Sequence, residues 1–127
     1  MMYLLDTCAL IWYFEDSAEL PQKIARLIDS PLCPKFISVA SLWEIAIKVN
    51  IGKLDMQLSF AELIDAIESS DLHVIPIKND YLKGLSKLPF AHKDPFDRLI
   101  ISTALQEGLT IMTADENIQK YDVSWVW

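Results

Sequence analysis

Cysteine, histidine, positive charge and long apolar runs are all scarce in this sequence, and each scarcity excludes something. Cys8 and Cys33 are the only cysteines. They lack paired Cys/His spacing, so no zinc site is expected. The opening Met1-Met2-Tyr3-Leu4-Leu5-Asp6 has no basic segment and meets an acid at once, unlike a secretory signal. The two thiols are therefore expected to be reduced and packed, in a cytoplasmic protein. No apolar run reaches the roughly 18 residues that a membrane-spanning helix needs. Lys and Arg number 11 against 18 Asp and Glu, for a formal net charge of −7. By itself that balance argues against a nucleic-acid partner, because phosphate is bound by Lys and Arg. Net charge is a sum over the whole chain, however. Acids gathered to hold a divalent cation make the sum negative without leaving the groove negative once the cation is bound.

Repeats, low-complexity segments and linkers are absent. A chain of 127 residues, 52% of them hydrophobic, suits a single domain, residues 1–127. Short apolar runs alternate with helical patterns. Strands are expected at Met2–Leu5, Phe36–Val39, Leu72–Ile75 and Leu109–Met112, with a last edge strand within Val123–Trp127. Helices are expected at Ala9–Glu15, Leu20–Ile28, Ala40–Asn50, Ser59–Glu68, Asp80–Leu85 and Pro95–Glu107. Gly52 and Gly108 fit helix stops, and Ser59 with Glu62 fits a capping box. Strands alternating with helices imply crossover units: an α/β fold with a mainly parallel sheet covered on both faces. Such sheets bind ligands beyond the carboxyl ends of their strands, where the strand order reverses.

Acids stand at several of those places. Asp6 directly follows the first strand, and Asp115 follows the strand Leu109–Met112 after Thr113 and Ala114. Each fits either a helix cap or a crevice carboxylate. Glu44 completes Ser41-Leu42-Trp43-Glu44, which fits a capping box, and it could also pair with Lys48 one turn on. Asp94 before Pro95 reads as an N-cap followed by proline at the first helical position. Asp97, in the first turn of that helix, borders the face that continues through Ile100, Ile101, Ala104 and Leu105, so it is the better ligand of the pair. Clustered carboxylates repel unless a cation joins them. An all-oxygen, histidine-poor set suits Mg²⁺ or Mn²⁺, and the natural chemistry is phosphodiester hydrolysis. His92 is a candidate general acid or phosphate contact. Large apolar residues are many for the chain's size. Trp12, Tyr13, Phe14, Trp43, Trp125 and Trp127 point to exposed interface patches.

The segments LLDTCALIW, SVASLWEIAIKVNIGKL and HKDPFDRLIISTALQEGLTIMTAD, in this order and at this spacing, resemble PIN-domain ribonucleases. Among these the sequence is most similar to VapC-like toxins. The resemblance covers about Tyr3 to Asp122. It implies a three-layer α/β/α sandwich, endonucleolytic cleavage of RNA with Mg²⁺ or Mn²⁺, a homodimer, and inhibition by a co-expressed antitoxin. It implies that Asp6 and Asp97 are the principal metal ligands, with Glu44 as a third acid and Asp115 as a fourth that also meets metal. Thr7 and Thr113 would support the site, and Asp94 is a second acid in the DPFD segment. Lys48 and Arg98 are plausible phosphate contacts.

Two other metal-binding folds share the alternating pattern and are disfavoured. A receiver domain wants adjacent acids after its first strand and a Lys directly after its last; Asp6 has no acidic neighbour and no Lys directly follows Leu109–Met112. A dehalogenase-like phosphatase wants a second acid where Cys8 stands. A catalytically silent binding module on the same fold is the remaining alternative.

Overall fold

The apolar runs at positions 2–5, 36–39, 72–75, 109–112 and 123–127 each contribute one strand, and the five lie side by side in a single parallel sheet. The structure, a computed structural model, describes all 127 residues. In chain order the elements are β1 (Tyr3–Leu5), α1 (Thr7–Phe14), α2 (Gln22–Asp29), β2 (Lys35–Ser38), α3 (Val39–Asn50), α4 (Phe60–Glu68), β3 (His73–Ile75), α5 (Asn79–Leu85), α6 (Pro95–Glu107), β4 (Thr110–Met112), α7 (Glu116–Gln119) and β5 (Trp125–Val126). The strand order is β3-β2-β1-β4-β5. The chain therefore builds outward from β1 through β2 to β3, then returns to place β4 on the other side of β1. The reversal falls between β1 and β4, and a crevice opens there beyond their carboxyl ends.

Side-chain alternation along the strands assigns the two faces. Tyr3 and Leu5 of β1, Ile37 of β2 and Met112 of β4 pack with Ala9, Leu10, Ile24, Ile28, Ile45, Leu63 and Ile67 from α1 to α4. Leu4 and Ile111 point the other way and pack with Ile100, Ile101 and Ala104 of α6 and Ile118 of α7. Helices thus cover both faces, giving the expected three-layer α/β/α sandwich with a fully parallel sheet. A smaller cluster of Ala40, Tyr81 and Leu99 joins α3, α5 and α6.

Several boundaries differ from the sequence expectation for local reasons. Helix α1 starts at Thr7, two residues early, because the Asp6 side chain accepts the Ala9 N–H and caps it. Val39 opens α3 instead of ending β2, because Ser38 caps α3 by accepting the Ala40 N–H. The strand instead gains Lys35, whose buried ammonium reaches Asp71 at 3.1 Å. Ser41 is consequently a buried residue inside α3, and the expected capping box with Glu44 does not form. The capping box of Ser59 and Glu62 does form, as do the Asp94–Pro95 start of α6 and its left-handed stop at Gly108. The apolar stripe of α6 ends at Ala104, and Leu105 faces solvent. Cys33 packs against the core while Cys8 is exposed, and both are free thiols.

Candidate active site

Three helix N-termini meet at the carboxyl ends of β1 and β4, and each is capped by one of the acids singled out in the sequence. The Asp6 N–H donates to the Met112 carbonyl at 3.1 Å, which ties the end of β1 to the end of β4. Asp6 Oδ1 accepts the Ala9 N–H at 2.8 Å at the start of α1. Asp94 Oδ1 accepts the N–H groups of Phe96 and Asp97, both at 2.9 Å, at the start of α6. Asp115 Oδ1 accepts the Asn117 N–H at 2.8 Å at the start of α7, and the Thr113 hydroxyl accepts the Asp115 N–H at 3.0 Å. Cap and crevice carboxylate are therefore not rival roles. One oxygen of each Asp serves its helix and the other stays outside that bond.

The fourth and fifth acids arrive from α3 and α6. Glu44 is 6% exposed. Its Oε1 accepts the Thr7 hydroxyl at 2.8 Å, and that hydroxyl lies 3.0 Å from the Ser41 hydroxyl. Its Oε2 accepts from Lys48 Nζ at 2.7 Å. The expected i,i+4 pair thus exists, but on a buried carboxylate. Asp97 Oδ2 lies 2.9 Å from His92 Nε2. Asp6, Glu44, Asp94, Asp97 and Asp115 all line one open cavity of about 420 Å³, together with Thr7, Cys8, Lys48 and Lys53.

The electrostatics follow from this crowding. Burial is the main force pushing Asp6 from its ordinary 3.8 to about 6. The Thr113 hydroxyl and the Ala9 N–H oppose the shift, and the charges of Asp115 and Glu44 add to it. Asp97 is pushed to about 6 in the same way, by burial first, against the His92 contact and with the charges of Asp94, Glu44 and Asp115. The Cys8 thiol, on an exposed residue but partly desolvated against the cavity wall, is pushed up to about 11 by that desolvation and by the neighbouring acids. Lys48 is held protonated by its bond to Glu44.

Asp6 and Asp97, pushed upward by burial and further by neighbouring acids, belong to a donor set that a hard divalent cation would relieve, and oxygen donors are its preferred ligands. One subset is close enough to share an ion: donor atoms of His92, Asp94 and Asp97 lie within 4.8 Å of one another. Asp6 and Asp115 face the same cavity from outside that subset.

A family model of the PIN domain matches residues 3–124. The chain belongs to the PIN-domain family. Solved structures share the architecture of this PIN domain along its length. VapBC2 from Rickettsia felis, bound to a DNA fragment from its promoter, aligns with a TM-score of 0.76 at 17% identity, over 99% of this chain and 98% of that one. VapBC-1 from nontypeable Haemophilus influenzae aligns at 0.68 and 22%, over 99% and 97%. Mycobacterium tuberculosis VapC20, a sarcin–ricin loop cleaving toxin, aligns at 0.62 and 12%, over 94% and 95%. At such identities the likeness is one of fold. No curated protein matches the chain.

Two candidates fall elsewhere in this PIN domain. Arg98 does not line the cavity. Its guanidinium donates to the Pro89 carbonyl at 2.9 Å and the Tyr121 hydroxyl at 3.0 Å, and it lies 4.9 Å from the Phe90 ring. It is an anchor for the segment before α6, not a free phosphate contact. His92 is not part of the cavity lining; its Nε2 meets Asp97 Oδ2 at 2.9 Å, within the subset whose donor atoms could share an ion. Ser41 and Lys53 are the residues that sequence reasoning missed. The signal for Lys53 was Gly52, a glycine stop that turns the chain back toward the helix it ends.

Proposed function

We propose that this PIN domain is a metal-dependent endoribonuclease, the toxin half of a toxin–antitoxin pair, working with Mg²⁺ and with Mn²⁺ as a substitute. The observation that carries this reading is the gathering of five acids from four parts of the chain around one cavity at the strand-order reversal. Asp6, Asp97 and Asp115 would hold the ion, with the second oxygen of Asp94 also within reach. Such an ion supplies Lewis acidity toward phosphate and an activated water nucleophile. The chain's own residues supply placement. Thr7 and Lys48 fix the two oxygens of Glu44, so that its carboxylate can orient the attacking water. Thr113 supports both Asp6 and Asp115 at the end of β4. His92 holds Asp97.

The partners are inferred from the surface and from a further solved structure of the same fold, which is by name a toxin–antitoxin complex from Klebsiella pneumoniae. Trp43 is 55% exposed and Trp125 46%. Trp12, Tyr13 and Leu20 line an open groove between α1 and α2. One such surface would bind a second copy of the chain and another an apolar helix of the antitoxin, whose Arg would enter the acidic cavity and displace the ion. No helix is long and apolar enough to cross a membrane, in keeping with a cytoplasmic site of action. The test is cleavage of purified total RNA by the isolated protein with Mg²⁺, with Mn²⁺ and with EDTA, alone and co-purified with the product of the neighbouring reading frame. Cleavage that needs the ion and disappears with the partner is expected. RNA left intact under every condition would leave a silent binding module.

A further inference from the structure

Five acids line the cavity, but only two cations do, Lys48 and Lys53. Lys48 is committed: its ammonium sits 2.7 Å from Glu44. Lys53 has no carboxylate within ion-pair distance, and no hydrogen bond occupies its side chain. It is the single uncommitted positive charge on the wall of a strongly acidic cavity.

Its backbone is fixed although its side chain is free. Gly52 adopts φ +74°, a left-handed conformation that an L side chain would strain, and this turns the chain back over the end of α3. The Lys48 carbonyl then accepts both the Lys53 N–H at 2.9 Å and the Leu54 N–H at 3.2 Å. A few residues on, the Glu15 carboxylate at the end of α1 accepts the N–H groups of Gln57 at 2.6 Å and Leu58 at 3.3 Å. Leu54 and Met56 pack against the core between these two clamps. A long cationic side chain is therefore projected from a clamped turn at the rim of the cavity.

Charge arithmetic gives that side chain a purpose. With Glu44 neutralised by Lys48, four carboxylates remain on the wall. One divalent cation still leaves them net negative, and a polyanionic substrate must nevertheless approach. We propose that Lys53 grips the sugar-phosphate backbone of the RNA, binding a phosphate next to the one that is cleaved. This inference rests on the nuclease reading above. Lys53 is a substrate-binding residue and takes no part in holding the ion.

The experiment compares wild type, Lys53→Gln and Lys53→Arg on one short RNA over a range of salt concentrations. The ion-induced rise in Tm is read in all three as a check that the acids are intact. KM should rise roughly three- to tenfold in Lys53→Gln, with the loss in KM rather than kcat. The slope of log(kcat/KM) against log[salt] should become shallower by about 0.7, one single-strand phosphate contact. Lys53→Arg should restore both, and the Tm rise should be the same in all three. An unchanged KM and salt slope in Lys53→Gln overturns the proposal. Should the wild type cleave no RNA, the nuclease reading fails, and the affinity of the same RNA in Ca²⁺ still decides Lys53: equal Kd and equal salt slope for wild type and Lys53→Gln overturn it, and a weaker Lys53→Gln with a salt slope shallower by about 0.7 supports it.

Discussion

Replacing Asp6 by Asn should make the metal-free protein more stable while removing its response to metal. The carboxyl ionises near 6 in the folded protein against an ordinary 3.8, chiefly because it is buried. At 1.36 kcal/mol per pH unit this difference is about 3 kcal/mol. The sign follows from proton binding. Between about 4 and 6 the folded protein holds a proton that the unfolded chain has released. Stability therefore falls as pH rises through this window, and the full penalty stands above about 6. Asn carries no charge, and it keeps the cap, since Asn and Asp serve equally well at that position and its Oδ1 can still accept the Ala9 N–H. Allowing for the altered contact with Thr113, the metal-free variant should gain about 1–3 kcal/mol at pH 7.5, a Tm increase of roughly 4–12 °C. The gain should nearly vanish at pH 4, where the wild-type carboxyl is protonated. In Mg²⁺ or Mn²⁺ at about 100 times the dissociation constant, the wild type should gain about 2.7 kcal/mol and the variant only a few tenths. Thermal unfolding followed by circular dichroism at the two pH values, in EDTA and in metal, measures all three differences. A variant that melts at or below the wild type in EDTA at pH 7.5 would refute the electrostatic argument. Equal metal-induced shifts would remove Asp6 from the ligands.

Asp94→Asn keeps the cap of α6 and should change stability by less than about 0.5 kcal/mol, whereas Asp97→Asn should abolish most cleavage; equal losses of activity and of metal affinity would make Asp94 a ligand of the same rank. Arg98→Ala removes the bonds to Pro89 and Tyr121 and should cost about 1–3 kcal/mol in urea unfolding. A rise in KM for RNA at unchanged stability would return Arg98 to the substrate. Ile37→Ala empties a fully buried site under β2 and should cost about 2–5 kcal/mol; a loss below 1 kcal/mol would mean that the α1–α4 layer collapses freely into the space.

The fold was legible because its signals are local. Apolar runs, a proline at the start of α6, a capping box at Ser59 and glycine stops at Gly52 and Gly108 are each decided within a few residues. Errors arose where two local motifs competed for one stretch. Ser38 and Ser41 can both cap α3, and only the burial of Ser41 beside Thr7 shows which of them does. Likewise Arg98 and Lys48 looked alike as surface cations on helices, yet one is held by backbone carbonyls and the other by a buried carboxylate.

The sequence by itself determined which acids stand just beyond strands or at helix starts, because strand ends and caps are written in short-range patterns. Whether those acids meet was decided only by the tertiary structure. Residues 6, 44, 94, 97 and 115 become neighbours because β4 returns to the far side of β1 and pairs with it in register, Leu5 beside Met112. The resulting burial raises Asp6 and Asp97 toward 6 and leaves Lys53 as the one free cation at the rim. Desolvation and charge–charge repulsion act through space, and the distances that set them are not distances along the chain.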